Sequence, residues 1–130
     1  MKREIPVAAA AIFNDSGQVL IAQRSEPDHL RGLWEFPGGK IEDGETPEVA
    51  LVREIEEELA LEIKLTKFIG EFPLDCGSYI IRIFAYSAKT SSTTHELREH
   101  LDVLWVWPKD LSSYAIAPAD IPIIATLFGP

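Results

Sequence analysis

A second cysteine is missing from this 130-residue chain. Cys76 therefore has no internal partner, which excludes a disulfide framework and fits a reducing, cytoplasmic compartment. No apolar run approaches the ~18 residues that a membrane helix needs. The stretch "VAAAAIF", Val7 to Phe13, is far shorter, lacks the cleavage-site context of a secretory leader and reads as a strand. A basic surplus is missing too: 12 Lys and Arg stand against 21 Asp and Glu, a net charge of −9. Such a surface repels nucleic-acid backbones, so a polymeric nucleic acid is not an expected partner. Repeats, linkers and low-complexity segments are also lacking, and residues 1–130 read as one domain.

What is there is an uneven distribution of charge. Nine acids and one base, Arg53, fall between Glu42 and Glu62, so all but one unit of the net −9 sits in that segment. A near-neutral protein with one acidic focus can still accept polyphosphate if divalent cations lie between the two sets of negative charge.

Hydrophobic patterning places the elements around that focus. "REIPVAAAAIF" reads as a central strand, "NDSG" as a turn and "QVLIAQRS" as the returning strand of a hairpin. A Gly/Pro-rich loop follows. Thr46 as N-cap and Pro47 at the first helical position then predict a helix running to about Ala60, with Val52, Ile55 and Leu59 as its buried stripe. "EIKLTKFIGEF" and "SYIIRIFAYSA" read as strands with a turn from Pro73 to Gly77. "SSTTHELREH" reads as a loop, "LDVLWVWP" as a strand and "KDLSSYAIA" as a connection with a short helical turn. A closing helix starts with Asp120 as N-cap and Pro122 in its first turn, and Gly129 and Pro130 stop it. The expected fold class is α+β, a mixed sheet sandwiched between helices. Of Trp105 and Trp107, alternating along a strand, at least one is expected in the core. Cys76 reads as an inert turn residue.

On the first helix, Glu54, Glu57 and Glu58 fall at i, i+3 and i+4, with Cβ atoms roughly 5–6 Å apart, and like charges so placed repel. Glu56 points away and is solvated. Hard carboxylate oxygens on one face form a platform for Mg²⁺ or Mn²⁺. The plainer reading is a solvated surface helix in which Arg53 pairs with Glu57. The preceding "PGGK" favours the platform: its glycines allow close backbone approach and Lys40 adds a charge suited to phosphate. It is not a P-loop, because Trp34 stands where the first glycine of that motif belongs and Ile41 follows the lysine.

Residues 39–61, "GKIEDGETPEVALVREIEEELAL", resemble the Nudix box, G-x5-E-x7-R-E-U-x-E-E-x-G-U, where U is bulky and apolar. Gly39, Glu45, Arg53, Glu54, Ile55, Glu57, Glu58 and Leu61 match. Ala60 replaces the second box glycine, the one that ends the helix, at a cost of about 1 kcal/mol if a left-handed residue is needed there. "WEFPGGKIE", "IAQRS" and "APADIP" extend the resemblance across nearly the whole chain. They resemble the MutT-type nucleoside triphosphate pyrophosphohydrolases, closest to the branch acting on CTP or modified pyrimidines.

The resemblance implies a Nudix fold and hydrolysis of a nucleoside triphosphate to monophosphate and pyrophosphate. The substrates it suggests are oxidised or modified nucleotides such as 8-oxo-dGTP, CTP or modified dCTP, in nucleotide-pool sanitation. Mg²⁺ is the implied cofactor, with Mn²⁺ able to substitute. Gly38 (through its carbonyl), Glu54, Glu57, Glu58 and Glu99 are the implied metal ligands. Arg53 and Glu45 hold the ligating glutamates. The catalytic set is Arg53, Glu54, Glu57, Glu58 and Glu99, with Glu96 competing for the place of Glu99. Substrate contacts are expected from Arg24, Phe36, Lys40 and Asp120. For Arg24 the alternative is a surface arginine, and for Asp120 a helix cap alone. His29, His95 and His100 show no ligand spacing and read as non-functional. The expected assembly is a monomer or homodimer, off the membrane. The rival functions are hydrolysis of other nucleoside diphosphate-linked compounds and a non-catalytic nucleotide-binding Nudix module.

Overall fold

The computed structural model describes residues 2–129. Seven strands and two α-helices form around one mixed sheet: β1 (Arg3–Phe13), β2 (Val19–Gln23), β3 (Trp34–Glu35), β4 (Gly38–Lys40), α1 (Pro47–Leu59), β5 (Lys64–Asp75), β6 (Tyr79–Lys89), β7 (Asp102–Val106) and α2 (Ile121–Phe128). The long path of the sheet runs β3-β2-β1-β6-β5, with β4 paired to β1 and β7 paired to β2. β1 and β6 are parallel from Arg3 opposite Tyr79 to Phe13 opposite Lys89.

β1 is buried on both faces, and its sequence says why. Ala8, Ala10 and Ile12 face the core that Leu51, Ile55 and Leu59 of α1 complete. Ala9 and Ala11 face the core that holds Ile83, Ile123 and Val106. Period-2 alternation splits one apolar run between two layers. Gly38 lets β4 approach β1 closely: a Cβ added there would lie 1.9 Å from the Ala8 carbonyl oxygen. The β1–β2 hairpin closes through Asn14, whose Oδ1 accepts from the backbone N–H of Ser16 and of Gln18 at 3.0 and 2.9 Å.

α1 starts as expected: Thr46 Oγ1 accepts from the Val49 N–H at 3.2 Å, and Pro47 opens the helix. It ends on Ala60 at φ 51°, ψ 39°, with the Ala60 N–H bonded to the Glu56 carbonyl. The left-handed cap is therefore real, and an alanine fills it. Three expectations need correction. Val52 is 41% exposed, and the buried face is Ala50, Leu51, Ile55, Glu58 and Leu59, rotated by about one residue. β5 continues through Pro73 to Asp75, so only the end of the expected turn from Pro73 to Gly77 is a turn. Asp120 precedes α2 but does not cap it with its side chain. A 3₁₀ turn at Pro118–Asp120 runs straight into the helix, leaving Asp120 with helical φ and ψ rather than the extended geometry of a cap. Gly129 ends α2 as expected, while Pro130 lies outside the described residues. Trp105 packs against the α1-side core, whereas Trp107 is 45% exposed. No described helix is long and apolar enough to cross a membrane.

Candidate active site

A cleft of about 570 Å³ opens where β1, β4, α1 and the segments before β7 and α2 meet. Gly38, Lys40, Glu58 and Glu99 line it, and so do Arg24, Phe36 and Asp120. Seven of the residues singled out from sequence are thus brought to one place. Glu54 and Glu57 stand beside this wall rather than on it.

The outer flank is organised by Arg53. Its Nε and Nη2 donate to the two oxygens of Glu45 at 2.8 Å each. Nη1 donates to Glu54 at 3.0 Å and to Glu57 at 3.2 Å, and Nη2 also reaches the Lys40 carbonyl at 3.3 Å. Glu45 further accepts from the Glu42 N–H at 2.9 Å. The Arg53 guanidinium, helped by that backbone bond, holds the Glu45 carboxyl down at about 2, while Glu45 in turn raises Arg53. A planar guanidinium with five donors is suited to such a hub. The pair Arg53–Glu57 of the plainer reading is present, but as one spoke of four.

The inner wall has the opposite character. Glu58 is 5% exposed, and its Oε1 has no hydrogen-bond partner. Burial, then the nearby charges of Glu99, Glu54 and Glu35, push its carboxyl up to about 9. Burial raises Glu54 as well, against the pull of Arg53. Buried polar atoms without partners are rare and call for an explanation. A cation between these carboxylates supplies one: the donors are hard oxygens, as Mg²⁺ and Mn²⁺ require. Gly39 makes room for one of these carboxylates, since a Cβ there would fall 2.4 Å from Glu54 Cδ. The residues therefore fit a divalent cation. Among the described residues no three acidic, His or Cys side chains already stand as a closed ligand cage, and Glu57, with a side chain 57% exposed, is turned to Arg53.

Glu99 reaches the cleft through its loop. The Glu99 carbonyl accepts from Ser25 Oγ at 2.8 Å. Arg98 donates to the Glu56 and Glu57 carbonyls at 3.3 and 3.0 Å, tying the loop to the last turn of α1. Cations are favoured there by the helix dipole. The competing Glu96 pairs with Arg98 and does not line the cleft.

At the other end, Asp120 is 5% exposed and its Oδ2 accepts from the Phe36 N–H at 2.7 Å. Burial, then the charge of Glu35, pushes its carboxyl up to about 8. The Phe36 ring is 3% exposed and belongs to the α2-side core, so Phe36 borders the cleft as a core residue. Arg24 donates to Glu35 Oε1 and, at 3.1 Å, to the Glu26 carbonyl. Lys40 is exposed at the rim.

Two lining residues engage each other that sequence reasoning left without a role: Glu35, which it did not single out, and His100, which it read as non-functional. Glu35 and His100 face each other with His100 Nε2 3.1 Å from Glu35 Oε2. Both were hidden by separation: they stand 65 positions apart, and β2 brings them together by pairing with β3 on one side and β7 on the other. The only local signal was the acid inside "WEFPGG", which lies among apolar residues.

Comparison with known proteins agrees with this geometry. The NUDIX domain family matches residues 3–127. The chain is 42% identical over 125 residues to an 8-oxo-dGTP diphosphatase of Escherichia coli (strain K12), covering 96% of this chain and 97% of that protein. It is 36% identical over 115 residues to the CTP pyrophosphohydrolase of the same strain, covering 88% and 85%. The solution structure of the E. coli ORF135 protein superposes with a TM-score of 0.86 at 36% identity, covering 97% of this chain and 89% of that one. A box of carboxylates on α1, its arginine hub, and similarity along nearly the full length make this chain a member of the Nudix hydrolase family.

Proposed function

We propose that this enzyme converts a nucleoside triphosphate to the monophosphate and pyrophosphate, with Mg²⁺ or Mn²⁺ held at the Glu58 end of the cleft. The observation that carries the reading is the pairing of two unlike ends in one cleft. The partnerless oxygen of Glu58 sits among carboxylates at one end, and a buried, backbone-anchored Asp120 stands at the other. The first suits a polyphosphate with its cation and the second suits a base.

Glu54, Glu57 and Glu58, with the Gly38 carbonyl and Glu99, would hold the cation. When bound it supplies neutralisation of triphosphate charge and acidification of water. Arg53, clasped by Glu45, fixes Glu54 and sets the position from which Glu57 turns inward. Glu99, free at its carboxylate and anchored by its backbone, either joins the ligands or takes the proton of the attacking water. Lys40 at the rim offers charge to the phosphates, and Arg24 contacts phosphate or base. Asp120 reads the base edge with the oxygen that Phe36 leaves free. Held neutral by burial, it can both donate and accept there, as an amide does. Oxidised guanine and modified cytosine nucleotides are the leading substrates, consistent with relatives named for 8-oxo-dGTP and CTP. Residues 1–130 act as one cytoplasmic domain, alone or as a homodimer.

The test is a panel of canonical, oxidised and modified nucleoside triphosphates with Mg²⁺ or Mn²⁺, scored for monophosphate and pyrophosphate. Release of both from at least one of them is expected. Release of inorganic phosphate instead, or turnover of nucleoside diphosphate sugars alone, overturns the reading.

A further inference from the structure

Between the two ends of the cleft, Glu35 has both carboxylate oxygens engaged. Arg24 Nη1 holds Oε1, and His100 Nε2 stands 3.1 Å from Oε2. The carboxylate accepts both bonds, so the ring nitrogen is the donor. The His100 side chain is only 7% exposed, against 18% for Glu35, and its Nδ1 is buried without a partner. A residue present only to fill that space would be better apolar, because a buried polar atom left unpaired costs free energy. The polar ring is kept for what Nε2 does. Glu35 also lies between the ends electrically: its charge acts on Glu58 on one side and on Asp120 on the other. Glu35 borders the cleft together with Arg24 and His100. Each of its oxygens has lone-pair capacity beyond the bond it already accepts.

We propose that His100 is a positioning residue for substrate binding: with Arg24 it holds the Glu35 carboxylate so that its remaining lone pairs meet a hydroxyl of the nucleotide sugar. This rests on the nucleoside triphosphate reading, which puts the base at Asp120, the phosphates at α1 and the sugar between them. A carboxylate fixed from two sides needs no reordering when the hydroxyl arrives, so the gain appears in binding rather than in the chemical step. His100 follows Glu99 in the chain, which makes the competing explanation plain: His100 could serve only to anchor the loop that carries Glu99.

Steady-state kinetics with dCTP against 2′,3′-dideoxy-CTP, and dGTP against 2′,3′-dideoxy-GTP, separate the two. Wild type should prefer the 3′-hydroxyl substrate, through KM. His100→Phe fills the site without a donor; it should raise KM for the deoxynucleotide about tenfold with kcat within about threefold, and abolish the preference. His100→Gln, which offers an amide N–H near the place of Nε2, should restore both. Glu35→Gln should lose the preference as well, and covers the case in which His100→Phe fails to fold. A fall in kcat with KM and the preference unchanged overturns the proposal in favour of a loop anchor. A wild type that turns over deoxynucleotides without any 3′-hydroxyl preference overturns it too, while leaving the reaction intact. A wild type that cleaves no nucleoside triphosphate overturns the reaction and this role together.

Discussion

Glu45 and Glu58 belong to the same box, thirteen positions apart, and their surroundings push them in opposite directions. Glu45 has both oxygens bonded to Arg53 and its carboxyl is held at about 2. Glu58 is buried among other acids, with one oxygen unpartnered, and its carboxyl is pushed up to about 9. One region is electrostatically finished, and the other is incomplete without a cation. Charge count alone does not separate them; the reach of Arg53 does. A strongly perturbed carboxyl in a cleft marks a functional site, and a fully paired one marks its support.

Exchange of the two carboxylates for amides should break this contrast most visibly. Glu58→Gln is expected to lower kcat by about 10³-fold or more, since it removes a ligand charge at the incomplete region. Its stability without metal should stay level or rise, because the folded state no longer has to keep a buried carboxyl protonated at neutral pH. Glu45→Gln is expected to do the reverse in kind: a smaller loss of activity and a lower melting temperature. Activity of Glu58→Gln within a few-fold of wild type would remove that oxygen from the ligand set.

Arg53→Lys comes next. A lysine cannot reach Glu45 with two parallel bonds while serving Glu54 and Glu57. Activity should drop about 10- to 100-fold, the usual scale for a residue that orients ligands. Parity with wild type would show that the clasp is not needed.

Asp120 sharpens the comparison from the other end of the cleft. Asp120→Asn keeps an acceptor for the Phe36 N–H, so the fold should hold. Nucleotide selectivity, as ratios of kcat/KM, should shift by at least about 1 kcal/mol if the side chain reads a base. The variant also tests titration. The folded pKa is raised from 3.8 to about 8, so the folded state keeps a proton that the unfolded chain releases over that range. The stability this contributes is full below pH 3.8 and is lost as pH rises towards 8. Melting temperature should therefore fall more steeply with pH in wild type than in Asp120→Asn between pH 5 and 8. Parallel slopes would mean that Asp120 ionises normally.

The smallest effect belongs to Ala60. At φ 51° an alanine occupies a conformation that suits glycine. Ala60→Gly should stabilise the protein by about 1 kcal/mol, a rise of a few degrees in melting temperature, with activity unchanged. No gain would indicate that the loss of chain entropy on fixing glycine cancels the relief of strain.

Sequence legibility followed distance along the chain. The start and end of α1, the two-faced β1 and the Arg53–carboxylate hub lie within local patterns, so turn chemistry, periodicity and box spacing revealed them. Val52 was misplaced because the 3.6-residue period fits two adjacent stripes, and burial of Glu58 turned the helix towards the other. Asp120 reads in the sequence as a base contact that also caps α2, and the cap half fails because position before a helix only resembles a cap. Its bond to Phe36 spans 84 positions and leaves no trace in the local sequence. His100 and Glu35 were hidden for the same reason. Long-range convergence on a sheet comes from strand order, which no short window contains.

The incomplete region around Glu58 can be probed without substrate. Melting temperatures of wild type and Glu58→Gln are measured with and without millimolar Mg²⁺ at neutral pH. A ligand that binds only the folded state stabilises it by RT ln(1 + [L]/Kd). Mg²⁺ should raise the wild-type transition by several degrees and leave that of Glu58→Gln almost unmoved. Equal shifts in the two proteins, or none in wild type, would contradict the assignment of the buried carboxylates to a cation.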